Sequence, residues 1–159
     1  MPRTIEGDND ASRFRFAIVA SRFNDDIVEG LLAGALDALT RRNVVDDNIS
    51  LFRCPGAFEI PTVARSLCSS GRYNAVIALG CLLRGDTLHF EVLSHQVTLE
   101  LSRVSVDTQV PIAFGVLTCD TQEQAEARSG RGDGNKGFEA AEAAIEMATL
   151  WRALRSSGT

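Results

Sequence analysis

Apolar positions along this chain follow two rhythms. Phe14-Arg15-Phe16-Ala17-Ile18-Val19-Ala20 starts with a period of two and ends wholly apolar, as a strand entering a core does. After the polar Ser21-Arg22-Phe23-Asn24 the period changes. Ile27, Leu31, Ala35 and Leu39 recur at every fourth position, with Asp25 and Asp26 ahead of them, which predicts a helix with acids at its positive end. Residues 49–54 read as a second strand, stopped by Pro55-Gly56. A helix starts near Pro61, carries Val63, Ala64 and Leu67, and closes at Gly71. Residues 75–81 are almost purely apolar, the pattern of a strand buried on both faces. The stretch 88–107 fits two periods: Leu93, Val97, Leu101 and Val104 suit a helix, while Val97, Leu99 and Leu101 also alternate. Its length favours a helix. Residues 111–117 form another buried strand, followed by a short helix from Gln122 to Arg128 and a glycine-rich loop. The last helix places Phe138, Ala141, Ile145 and Ala148 on one face.

Strands thus alternate with helices four times. The pattern predicts an α/β domain with a parallel sheet and helices on both faces. Ligands in such folds bind beyond the carboxyl ends of the strands, so the loops of interest are 21–25, 55–59, 81–89 and 118–121. Residues 1–13 read as a flexible leader and 14–159 as a single domain.

Composition narrows the function. A chain of 159 residues that is 45% hydrophobic folds as one domain and can offset the entropy of ordering. A net charge of −5 argues against a general binder of nucleic acid or membrane surfaces. The longest apolar run falls short of the roughly 18 residues of a membrane span, and the leader has no apolar signal region. Cysteines at 54, 68, 81 and 119 show no C-x-x-C spacing, which suggests four reduced thiols in a cytoplasmic protein and no metal site. Fifteen arginines accompany a single lysine, Lys136, so any covalent lysine chemistry would have to use it. Flanked by Asn135 and Gly137 in a loop, that amine lacks the desolvated setting a Schiff base requires.

The loop Arg84-Gly85-Asp86-Thr87-Leu88-His89 joins a buried strand to a helix, where free N–H groups and the helix dipole favour an anion. Gly85 permits close backbone approach, and the Thr87 hydroxyl can cap the helix or bond a phosphate oxygen. His89 in the first helical turn is then either a proton shuttle beside a phosphate or a surface histidine on a capped helix. His95, six positions on, reads as structural. Phe23 either stacks on a planar heterocycle or staples the next helix, and Glu59 either binds ligand hydroxyls or is a solvated helix-start acid. Residues 128–137 contain G-x-G-x-x-G, but after a helix, with too little chain left for a dinucleotide unit. Arg128, Arg131 and Lys136 make that loop a phosphate contact, a helix connector with Asn135 as N-cap, or both.

Together these motifs resemble one family. Ser21-Arg22-Phe23-Asn24, then Pro55-Gly56-Ala57-Phe58-Glu59-Ile60-Pro61, then residues 78–91 around Arg84-Gly85-Asp86-Thr87-Leu88-His89, then Phe114-Gly115-Val116-Leu117-Thr118 with Glu123-Gln124-Ala125, Arg128 and Asn135-Lys136-Gly137, stand in the order and spacing of the 6,7-dimethyl-8-ribityllumazine synthases. The resemblance covers residues 14–155. It implies a flavodoxin-like three-layer αβα sandwich on a four-stranded parallel sheet, with the N-terminal segment adding as a strand to a neighbouring subunit. It implies condensation of 5-amino-6-(D-ribitylamino)uracil with 3,4-dihydroxy-2-butanone 4-phosphate, with no cofactor and no metal. Phe23, Ala57, Phe58, Glu59, Cys81, Leu82 and Leu83 would hold the pyrimidine, with Phe114 arriving from a neighbour. Asp86, Thr87 and Arg128 would hold the butanone phosphate, His89 would move protons, and Lys136 is an additional candidate. Asp86 would act through its backbone, its carboxylate pointing away or offset by Arg84 or Arg128. The resemblance further implies a homopentamer with sites at subunit interfaces, and the short connector 129–135 resembles that of members that build 60-subunit shells. Rival readings on the same fold are a riboflavin synthase of the archaeal type and a non-catalytic lumazine binder with an idle His89.

Overall fold

A computed structural model describes residues 1–158. Four strands form one parallel sheet: β1 (Phe16–Ser21), β2 (Ile49–Cys54), β3 (Ala75–Leu83) and β4 (Ile112–Cys119), in the order β2-β1-β3-β4. Five helices accompany them: α1 (Asp25–Arg41), α2 (Ile60–Ser69), α3 (His89–Thr108), α4 (Gln122–Ser129) and α5 (Lys136–Ser156). Two short 3-10 turns, Asp46–Asn48 and Ala57–Glu59, lead into β2 and α2.

The pleat divides the core in two. Phe16, Ile18 and Ala20 of β1 join Ile77 and Leu79 of β3 and Ala113 and Leu117 of β4 under α1, α4 and α5. The alternate residues, Ala17, Val19, Val76, Ala78 and Val116, pack beneath α2 and α3. Successive strand residues therefore face opposite layers, and the central strands are apolar throughout because both faces are covered. The two periods of residues 88–107 are resolved by α3: Val97 and Leu101 are 1% and 2% exposed while Leu99 between them is 50% exposed. A strand would have placed all three on one face.

The segment expected to be a flexible leader does not hang free along its length. The Asp8 amide donates to Thr149 Oγ1 at 2.8 Å, Ala11 is buried, and Arg152 of α5 lies 4.9 Å from the Phe14 ring centre. Asp8 meets Thr149, a partner remote in sequence, through both its amide and its carbonyl. Residues 1–13 contain no strand.

Close approach of α1, α4 and α5 depends on small residues and on Asn135. A Cβ on Gly137 would collide with the Leu31 carbonyl of α1, and one on Gly30 with the Ser129 carbonyl of α4. Asn135 is 6% exposed; its Oδ1 accepts from Phe138 N at 2.9 Å as the α5 N-cap. Its Nδ2 donates to the carbonyls of Gly30, Ser129 and Gly130 at 3.0–3.1 Å. One amide thus joins three helices. Asn135→Asp keeps the cap acceptor but turns a carboxylate on three carbonyls. The expected loss is about 2 kcal/mol or more, measured by urea unfolding; a loss no larger than that of a surface Asn→Asp control would contradict this role.

Candidate active site

Parallel strands deliver their carboxyl ends to one edge of the sheet, and the loops there are bonded to one another. Arg22 N and Phe23 N donate to the carbonyls of Cys54 and Pro55 at 2.9 and 3.0 Å, carrying the β1–β2 pairing into the loops. Arg84 N donates to the Cys119 carbonyl at 2.9 Å and does the same for β3 and β4. Asn24 takes a left-handed conformation (φ 59°), and its Nδ2 donates to the Cys81 carbonyl at 3.0 Å. Asparagine tolerates this backbone region better than most side chains.

A cavity of about 490 Å³ opens among these loops, within the size of small-molecule sites. Its lining brings together Phe23, Ala57, Phe58, Glu59, Cys81, Leu82, Leu83 and His89. Phe23 and Phe58 are 70% and 64% exposed, so neither ring is consumed as a staple on a helix. Glu59 is engaged locally, its Oε2 accepting from Gly56 N at 3.1 Å. That bond uses one carboxylate oxygen. His89 opens α3 and is exposed, and Thr87 Oγ1 accepts from its amide at 3.3 Å, while the N-cap residue of α3 is Leu88. A Cβ on Gly85 would meet nothing within 4 Å; the chain's own packing does not demand a glycine there, and the loop's outer side is open.

The remaining predicted residues lie elsewhere. Phe114, Arg128 and Lys136 line a separate cavity of about 350 Å³ between β4 and α5. Arg128 donates through Nη1 to the Gln124 carbonyl at 3.0 Å, and Lys136 Nζ pairs with Glu139 at 2.7 Å. Within one chain, Arg128 is thus grouped with Phe114 and not with Thr87. Asp86 is exposed and is offset by neither arginine: Arg84 is held by Asp120 and Glu91, each at 2.7 Å. His95 is exposed on α3, outside both cavities.

Comparison with known proteins shows the family. The family model described as 6,7-dimethyl-8-ribityllumazine synthase matches residues 13–152. The chain belongs to that family. It is 50% identical over 150 residues to the 6,7-dimethyl-8-ribityllumazine synthase of Prosthecochloris aestuarii, covering 94% of this chain and 97% of the relative. The like-named proteins of Chloroherpeton thalassium and Chlorobium phaeobacteroides (strain BS1) are 50% and 47% identical over the same shares.

Four lining residues, Asn24, Gly56, Phe90 and Leu93, carry no site role in the sequence reading. Asn24 had a signal: an asparagine directly before the acids of a helix start suits a left-handed residue. Phe90 and Leu93 look like ordinary core positions of α3 and have no such mark. Among the described residues no helix is long and apolar enough to cross a membrane, and no three His, Cys, Asp or Glu side chains gather as a metal site.

All four cysteines are free and buried. Burial pushes the Cys81 thiol from 9.0 up to about 12, with Cys119 and Asp26 adding to the shift. Cys54, Cys68 and Cys119 are also raised, each mainly by burial. A protonated thiol is a poor nucleophile, so Cys81 is a neutral wall of the cavity. The folded chain holds these protons more tightly than the unfolded chain. Their stabilisation is therefore complete below about pH 9 and fades as pH rises towards 12. Urea melts across the alkaline range are expected to show falling stability, with a shallower fall in Cys81→Ala. Equal slopes for both proteins would show that Cys81 does not take part.

Proposed function

We propose that the two cavities are complementary halves of one condensation site, completed where neighbouring copies of the chain meet. The enzyme is a transferase of riboflavin biosynthesis that joins 5-amino-6-(D-ribitylamino)uracil to 3,4-dihydroxy-2-butanone 4-phosphate, forming 6,7-dimethyl-8-ribityllumazine. The observation that carries the reading is the division of the site. Aromatic rings, Glu59 and His89 lie in one cavity, while Phe114, Arg128 and Lys136 lie in another on the same chain.

In this reading Phe23 and Phe58 flank the flat pyrimidine, and backbone groups of Cys81, Leu82 and Leu83 run along its edge. Ala57 closes the base of that cavity, and the free oxygen of Glu59 accepts from ribityl hydroxyls. Thr87 and the amides of 85–87 take the butanone phosphate, with Asp86 contributing its backbone; Arg128 reaches the same anion from the next copy. The primary amine of the uracil attacks the ketone carbon. Water leaves as the imine forms between the two substrates, phosphate is eliminated, and ring closure expels a second water. His89 transfers protons during these steps. No bond to the protein forms, so Lys136 needs no nucleophilic role. Holding both substrates in register can account for roughly 7–11 kcal/mol of the barrier.

The family works on small molecules as an oligomer. Assembly as a homopentamer is supported by apolar surface left open on one chain. Val92, Leu99 and Val106, seven residues apart on α3, are at least half exposed, and Phe114 on β4 is 46% exposed. Such a patch on one copy marks an interface. β2 is an edge strand, free to accept the N-terminal segment of a neighbour. A 60-subunit shell is the further assembly proposed, on the short 129–135 connector. Four thiols without a disulfide suit the cytoplasm.

The test mixes purified protein with both substrates and follows lumazine absorbance against a protein-free control. A rate proportional to protein is expected; none above control would favour a binding protein. His89→Ala is expected to slow turnover by about 10²-fold or less, since the approximation of the substrates survives. Complete loss in a folded assembly would contradict that division. Arg128→Ala is expected to raise KM for the butanone phosphate with aminouracil binding kept; equal loss of both would make Arg128 structural.

A further inference from the structure

The 85–89 stretch has little to hold it. Gly85, Asp86, Thr87, Leu88 and His89 are all exposed, and among the described residues their side chains make one hydrogen bond, from His89 N to Thr87 Oγ1. Arg84, immediately before them, is tied to three elements. Its amide bonds the Cys119 carbonyl at the end of β4. Its Nε donates to Asp120 Oδ1 and its Nη1 to Glu91 Oε1, both at 2.7 Å. Its guanidinium lies 4.7 Å from the ring centre of Phe90, which lines the larger cavity. Only a planar fork can serve two carboxylates on different elements while stacked on a ring. The link continues: Asp120 N donates to Gln124 Oε1 at 2.9 Å, and Gln124 O accepts from Arg128.

We propose that Arg84 is a positioning residue for the condensation: it fixes the 85–88 loop and the first turn of α3, and thereby Thr87 and His89, without touching substrate. The inference rests on the reading that this loop takes the butanone phosphate. Asp120, Glu91 and the Arg84 side chain are each 45–61% exposed, and exposed ion pairs stabilise a fold little. The effect therefore falls on placement, where a shift of about 1 Å can cost about 10²-fold in rate.

Arg84→Gln is expected to lower kcat/KM for the butanone phosphate by about 10²-fold. KM for the aminouracil and the thermal midpoint should stay near those of the parent. Arg84→Lys should recover part of the rate, because an ammonium can serve one carboxylate but not both. The double variant Arg84→Gln/Asp120→Asn should be no slower than Arg84→Gln alone. Unchanged kinetics in Arg84→Gln, equal loss for both substrates with a lowered midpoint, or additive losses in the double variant would each overturn the proposal. Thr87→Val, measured in parallel, separates the two levels. A raised KM for the butanone phosphate there, with Arg84→Gln silent, removes only the positioning role. A silent Thr87→Val removes the reading of the loop and this inference with it.

Discussion

β3 runs between β1 and β4, and both partners are parallel to it. Its backbone is therefore hydrogen-bonded on both sides, and its side chains must satisfy an apolar layer above and another below. That constraint explains the unbroken run from Ala75 to Leu79 and the two separate cores. It also sends the ends of β1, β3 and β4 out at one edge, where Asn24, Arg84 and the Cys119 carbonyl tie the loops together. The cavity exists because the strands stop together.

Most of the architecture was readable in the rhythm of the chain. β2 falls on the residues expected, and α4 differs from its expected end by one residue. Only α3 was ambiguous, because Val97, Leu99 and Leu101 satisfy both periods, and tertiary burial had to choose between them. In the leader, a polar sequence carries no mark of the hydroxyl that Asp8 meets 141 residues away at Thr149.

The site was legible unevenly. Loop position alone singled out residues 21–25, 55–59, 81–89 and 118–121; Phe23, Phe58, Glu59 and His89 of the first three share a cavity, which 118–121 does not line. Spacing could not reveal that Arg128 belongs with Phe114, because sequence order does not encode which side of β4 a helix end reaches. Nor could it show that Arg84 is already committed. An offset by Arg84 was one of the alternatives for Asp86, whereas the partners of Arg84 are Glu91, in the first turn of α3, and Asp120 on another loop.

Lys136 gives the smaller cavity a chemical address. It is the only lysine in the sequence, and it lines the Phe114 and Arg128 pocket with its side chain half-exposed. Besides the α-amine, an acylating label meets one side-chain amine on each chain. A fluorophore or cross-linker attached there would sit at the proposed seam between copies, and could follow assembly subunit by subunit without any engineered attachment point.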